Sequence, residues 1–143
     1  MAAPLNAFTV DVEDWYQVSD FEAVVDFTRW DSYPSRVVAN TDRMLALMDE
    51  AGVKGTFFVL SWNAERHPEI VRRIAAAGHE VASHGYAHRL IYDQTPETFR
   101  ADIVRSKATL EDLIGAPVLG YRAPSCSITT RSKIGRASCR ERV

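Results

Sequence analysis

The run VKGTFFVL at residues 53–60 constrains the fold more than any other segment. It offers almost no polar face, so it predicts a strand covered on both sides, as in parallel sheets flanked by helices. Neighbouring segments supply those helices. Residues 35–51 carry Val38, Thr41, Leu45 and Met48 on one helical face, and Gly52 stands where a C′ glycine ends a helix. His67-Pro68-Glu69 opens a second helix with proline in its first turn, and Gly78 closes it. Thr95-Pro96-Glu97 opens a third, which turns Phe99, Ile103, Leu110 and Leu113 inward and stops at Gly115. Strand-like runs lie at 7–12, 79–83 and 118–121, and residues 20–27 predict a short helix. This alternation predicts an α/β fold with a parallel sheet or barrel. Four strands leave such an architecture with an open edge.

With 143 residues, 46% of them hydrophobic and 25% charged, the chain can build one globular domain and is no disordered polymer. A net charge of −2 with no basic stripe predicts no nucleic-acid partner. No segment approaches the roughly 20 apolar residues that cross a bilayer. Residues 1–6 lack the features of a signal peptide, so the expected location is cytoplasmic. Cys126 and Cys139 are too few for a disulfide framework and lack zinc-site spacing. The last eleven residues, KIGRASCRERV, hold four basic side chains and continue no strand or helix period, which reads as vector-derived or frameshifted sequence. The expected division is a domain over 1–132 and a non-native tail over 133–143.

Three polar clusters stand at predicted strand ends, where α/β barrels and open α/β sheets place their sites. In Asp11-Val12-Glu13-Asp14-Trp15, three carboxylates within four residues repel one another unless solvated or neutralised by a cation. Strand alternation puts Asp11 and Glu13 on one face. One carboxylate can hold a metal while another acts as general base; an acidic surface loop is the plainer alternative. In His84-Gly85-Tyr86-Ala87-His88, histidines four apart converge on one ion if the backbone makes a helical turn or tight loop, and neutral imidazoles suit Zn²⁺, Co²⁺, Fe²⁺ or Ni²⁺. Taken alone, such a pair is more often two unrelated surface histidines. His67 and His79 are read as structural. In Gly120-Tyr121-Arg122-Ala123-Pro124-Ser125, Arg122 can pair with a strand-end carboxylate, orienting it and lowering its pKa, while proline stiffens the turn.

The order of these parts is more specific than any one of them. An acidic strand end, then TFFVL, then GHEVASHGYAH, then YRAP resembles the polysaccharide deacetylase family with the NodB homology domain, over about residues 8–130. DVEDWYQVSDFE and GYRAPSCSIT look most like the subgroup of exosortase-associated (PEP-CTERM system) exopolysaccharide gene clusters.

The resemblance implies the N-terminal part of a deformed (β/α) barrel, usually of seven strands, truncated here. It implies one divalent metal, zinc foremost, held by a carboxylate and two histidines. His84 and His88 match the histidine ligands, Asp11 the catalytic base and Arg122 the arginine that orients it. The third ligand is Glu13 or Asp14, because Val12 interrupts the family's usual adjacent aspartates. A backbone N–H near Tyr121 or Arg122 is expected to assist at the oxyanion. Trp15, Tyr86, Tyr121 and Pro124 are the expected substrate contacts, with Tyr16 and Trp62 as further stacking surfaces. The implied substrate is an N-acetylated polysaccharide or oligosaccharide, deacetylated at a C–N amide bond. The family's general acid is a histidine from a later motif, and no histidine follows Ser125. The chain alone is therefore expected to be poorly stable and nearly inactive. The alternatives are an allantoinase-like or formamidase-like C–N hydrolase on the same scaffold, and an inactive sugar-binding fragment.

Overall fold

A computed structural model describes residues 6–129. Three strands, β1 (Thr9–Val12), β2 (Thr56–Val59) and β3 (Glu80–Ser83), form one sheet in the order β1-β2-β3, with parallel neighbours. Val10 stands beside Phe57 and then Val81; Asp11 stands beside Phe58 and then Ala82. Four helices accompany them: α1 (Val37–Glu50), α2 (Ser61–Arg66), α3 (Pro68–Ala76) and α4 (Pro96–Ile114).

Side chains alternate across a strand, so Val10, Val12, Phe57, Val59 and Val81 share one face. That face joins Val37 and Met48 of α1, Ile70, Val71 and Ile74 of α3, and Leu110 of α4 in one core. Phe57, Val59, Ile70, Val71, Ile74 and Leu110 are fully buried. Each such side chain contributes about 1.5–3 kcal/mol by leaving water. The other face carries Thr9, Asp11, Thr56 and Phe58, and is only partly covered. Burial of 53–60 on both sides is thus corrected. Helices cover β2 from one side, and its other side faces what would be the interior of a barrel.

Local chemistry explains where elements stop. Thr95 caps α4 by accepting from the Thr98 N–H at 3.2 Å, and Gly115 takes the left-handed conformation that ends it. The predicted strand over 118–121 is reduced to one parallel bridge between Ser83 and Tyr121. Pro117 and Pro124 flank it, and proline cannot extend a ladder. The predicted helix over 20–27 is replaced by 3₁₀ turns at Trp15–Gln17, Ser19–Phe21 and Phe27–Ser32. Asp26 halts any continuous helix there by accepting from the Thr28 N–H at 2.7 Å. This irregular segment buries Tyr16, Val25 and Trp30 against Trp62 and Ala87, which ties it to α2 and to the loop after β3. The expected tail over 133–143 lies outside the described residues.

Candidate metal centre

The first polar cluster leaves the carboxyl end of β1. Asp11 points to the uncovered face, Val12 into the core, and Glu13 back toward the sheet top. Glu13 Oε2 lies 3.2 Å from His88 Nε2 and 3.7 Å from His84 Nε2. One donor atom from each of Glu13, His84 and His88 falls within 4.8 Å of the others, the one such group of three among the described residues. Asp14, the competing ligand, is turned away. It is buried, and accepts from Ser35 Oγ at 2.6 Å, the Arg36 N–H at 2.9 Å and the Tyr16 hydroxyl at 3.3 Å. Those contacts join β1 to the start of α1 and leave Glu13 as the gathered carboxylate.

The histidines are buried and each is oriented through Nδ1. His84 Nδ1 bonds the Arg122 carbonyl at 2.8 Å, so that nitrogen carries the proton and Nε2 is the free donor. His88 Nδ1 meets Ser19 Oγ at 3.0 Å. Burial lowers the pKa of His84, while His88 is pushed down to about 4 by burial first and then by His84. Both rings are therefore neutral near pH 7. Glu13 is pushed up to about 7, again by burial first and then by the Asp11 charge.

These features fit a divalent cation. Glu13 Oε2 is buried without any hydrogen-bond partner, which is costly for a polar atom unless something else satisfies it. One carboxylate with two unprotonated imidazole nitrogens is the donor chemistry of Zn²⁺ and its neighbours.

Beside this group stands the predicted base. Arg122 Nη1 donates to Asp11 Oδ1 at 2.6 Å, Nη2 donates to Thr9 Oγ1 at 2.8 Å, and the guanidinium lies 4.0 Å from the centre of the Phe58 ring. One residue thus fixes the Asp11 carboxylate through its side chain and the His84 ring through its carbonyl. The Arg122 N–H donates to the Ser83 carbonyl at 2.9 Å. That takes the Arg122 amide out of the expected oxyanion role, for which Tyr121 is the alternative.

The predicted substrate contacts are scattered. Trp15 is 41% exposed and meets Tyr16, Phe21 and Tyr33 edge-on, which leaves it available to a ligand. Tyr86 is engaged elsewhere: Arg105 covers its ring at 3.5 Å and its hydroxyl donates to Glu65 at 3.3 Å. Tyr121 packs against Phe99, and Pro124 is buried in the turn at 124–126. Tyr16 and Trp62 are core residues. His67 lies between α2 and α3, 3.7 Å from Glu69, and His79 accepts from the Gly55 N–H at 3.2 Å, consistent with structural roles.

Sequence reasoning missed the residues that brace the site. Gln17 and Asn63 form a reciprocal amide pair at 2.8 and 2.9 Å, while Asn63 also donates to the Val12 carbonyl and Gln17 accepts from the Asp14 N–H. Asp14-Trp15-Tyr16-Gln17 matches a capping-box spacing, a signal that would have flagged Gln17. Ser19, Asp102 and Ser106 carried no comparable local signal. A cavity of about 330 Å³ is lined by His88 together with Tyr16, Phe27, Trp30, Glu22, Asp26 and Arg89 among others.

A parallel sheet helical on one side, with carboxylates and histidines gathered at its strand ends, defines a partial α/β barrel with a metal-type site. Comparison with known proteins places it further. The family model described as polysaccharide deacetylase matches residues 24–139, and the chain belongs to that family. The match begins after Asp11 and Glu13, so it is carried by the later motifs. Similar curated proteins include a peptidoglycan-N-acetylglucosamine deacetylase of Bacillus cereus, 36% identical over 84 residues, 59% of this chain and 30% of that one. A chitooligosaccharide deacetylase of Rhizobium leguminosarum bv. trifolii is 37% identical over 76 residues, 53% of this chain and 34% of that one. Among solved structures, the Bc1960 peptidoglycan N-acetylglucosamine deacetylase, in complex with an N-hydroxybenzamide, gives a TM-score of 0.68 at 25% identity, covering 93% of this chain and 52% of that one. The chain thus spans about half of the similar structure and its matches about a third of the curated relatives. No helix among the described residues is long and apolar enough to cross a membrane.

Proposed function

We propose that this chain carries the metal-binding and base-bearing part of a hydrolase that removes N-acetyl groups from an amino-sugar polysaccharide. The observation that carries the proposal is the Glu13, His84 and His88 donor set beside the Arg122–Asp11 pair. Glu13, His84 and His88 would hold the ion, zinc foremost. When bound, it supplies Lewis acidity toward the acetamide oxygen and lowers the pKa of water. Asp11 takes a proton from the water that attacks the acetamide carbon, and Arg122 holds the Asp11 carboxylate in place through its 2.6 Å bond. The C–N bond then breaks, acetate forms, and the amine leaves with a proton.

That last proton needs an acid. The sequence has four histidines; two belong to the centre, and His67 and His79 make the structural contacts described. On the family resemblance that acid is a histidine of a later motif, and no histidine follows His88 here, so the chain alone should turn over little. N-Acetylglucosamine polymers are the favoured substrates, since the named relatives act on peptidoglycan N-acetylglucosamine or chitooligosaccharides. The cavity beside His88 is lined by Phe27, Glu22, Asp26 and Arg89 among others, side chains that can meet a sugar unit, and Trp15 offers an exposed ring nearby in sequence. The DVEDWYQVSDFE and GYRAPSCSIT segments favour an exopolysaccharide role of the exosortase-associated kind.

The test uses the complete natural protein loaded with zinc, assayed for acetate release from N-acetylglucosamine oligomers. Asp11→Asn should lose about 10²–10⁴-fold in kcat while retaining its metal. Hydrolysis of a small ureide without acetate release, or sugar binding without turnover, would replace this assignment.

A further inference from the structure

We propose that Asp102 on α4 is a positioning residue for the metal centre: by accepting from the Tyr86 amide, its carboxylate sets the backbone path that carries His84 and His88 to one ion. The proposal rests on the metal assignment above. Residues 84–88 form neither helix nor strand, so their own ladder cannot fix the two rings. Two of the five have positive φ, Gly85 at 79° and His88 at 54°. A histidine in that region is held there by its surroundings, because L side chains disfavour it.

The hold comes from two sides. From the start of α2, the Ser61 and Trp62 N–H groups donate to the carbonyls of Gly85 and Tyr86 at 3.0 and 3.1 Å. From α4, both Asp102 oxygens accept from the Tyr86 N–H, at 3.2 and 3.1 Å. Ser106, one turn further along the same helical face, donates to the Gly85 carbonyl at 3.2 Å and meets Ser83 Oγ at 2.7 Å. The closeness is possible because position 85 has no side chain. A Cβ there would fall 2.9 Å from Asp102 Oδ2. Glycine at 85 thus answers both to its φ and to the Asp102 carboxylate. The α2 contacts fix the carbonyls of this turn, and Asp102 fixes the amide midway between the two ligands.

The test is cobalt titration of the chelator-stripped complete protein, read by the visible d–d band, beside urea unfolding of the metal-free forms. Asp102→Ala should weaken cobalt binding by about 10–100-fold and alter the band. Asp102→Asn keeps an acceptor oxygen for the Tyr86 N–H and should recover most of the affinity. Asp102→Ser, too short to reach that amide, is the second variant should D102A fail to fold, with the same expected loss. A tether of purely structural value would lower urea stability and leave affinity and band unchanged in the folded molecules, and that result overturns the proposal. Unsubstituted protein that folds yet binds no cobalt overturns the metal assignment and this inference together. Cobalt bound alike by the unsubstituted protein and by D102A or D102S overturns this inference alone.

Discussion

Removing the charge of Glu13 should make the metal-free chain more stable and the zinc-treated chain less so. Burial, then the Asp11 charge, pushes this carboxyl from 4.5 to about 7. A group whose folded pKa is raised gives stability that is present below its unfolded value and lost as pH rises through its folded value. The window is therefore 4.5 to about 7, and the loss across it amounts to about 3 kcal/mol. The Glu13 side chain is 18% exposed, so solvent screens little of this. His88 runs the other way: held at about 4, it gives stability above 6.5 that is lost as pH falls through about 4. The readout is accordingly the difference between the natural chain and Glu13→Gln, since both carry His88. With chelator present, urea unfolding near pH 5 and pH 8 should show E13Q gaining about 2–3 kcal/mol on the natural chain between the two. Excess zinc at about a thousand times its Kd should then stabilise the natural chain by about 4 kcal/mol and E13Q far less, so the ranking inverts. A difference between the two metal-free chains that is the same at both pH values would falsify the account of Glu13 as a carboxylate whose ionisation burial opposes.

Two further substitutions separate the neighbouring carboxylates and the arginine. Asp14→Ala should destabilise the chain by about 1–3 kcal/mol, because Ser35, Arg36 and Tyr16 lose a buried acceptor. Its zinc affinity, measured by competition with a chelating dye, should stay unchanged; a large loss would return Asp14 to the ligand set. Arg122→Ala keeps the carbonyl that orients His84 but removes the charge-assisted bond to Asp11. In the complete protein kcat should fall about 10–100-fold with metal content intact, and loss of metal would show that the guanidinium serves the ligands instead.

The parts legible in the sequence were those with a local cause. Alternation along β1 put Asp11 and Glu13 on one face, and the caps at Thr95 and Gly115 bounded α4 within a residue. The choice between Glu13 and Asp14 was not local. It is made by Ser35 and the Arg36 amide, 21 and 22 positions away, which draw Asp14 toward α1. The pairing of His84 with His88 was open for the same reason. Spacing of four would suit a helical turn, whereas the chain makes a non-helical loop braced from α2 and α4. Apolar runs report burial without saying from which side, so β2 looked covered on both faces. Helix α2 was missed because SWNAER follows that run directly and no side-chain cap announces it. Tyr86 looked like a sugar platform until Arg105, nineteen positions on, was found over its ring.

The costly features of this molecule are gathered in one place, and the supports for each come from different elements. An unpartnered carboxylate atom, two buried neutral imidazoles and a histidine at positive φ would each be selected against in a domain built only for stability. Glu13 follows β1, the histidines follow β3, and their braces stand on α4, the 15–21 turns and the segment after the Tyr121 bridge. A change in the spacing of β1 and β3 would part the donors, and the intervening strand β2 sets that spacing through its paired registers with both. Arg122 ties the remaining component to the same frame, since its carbonyl bonds His84 and its guanidinium bonds Asp11. The distance between base and ligand is then a property of one residue's backbone and side chain. The proposed ligand set and base should accordingly assemble together within residues 6–129.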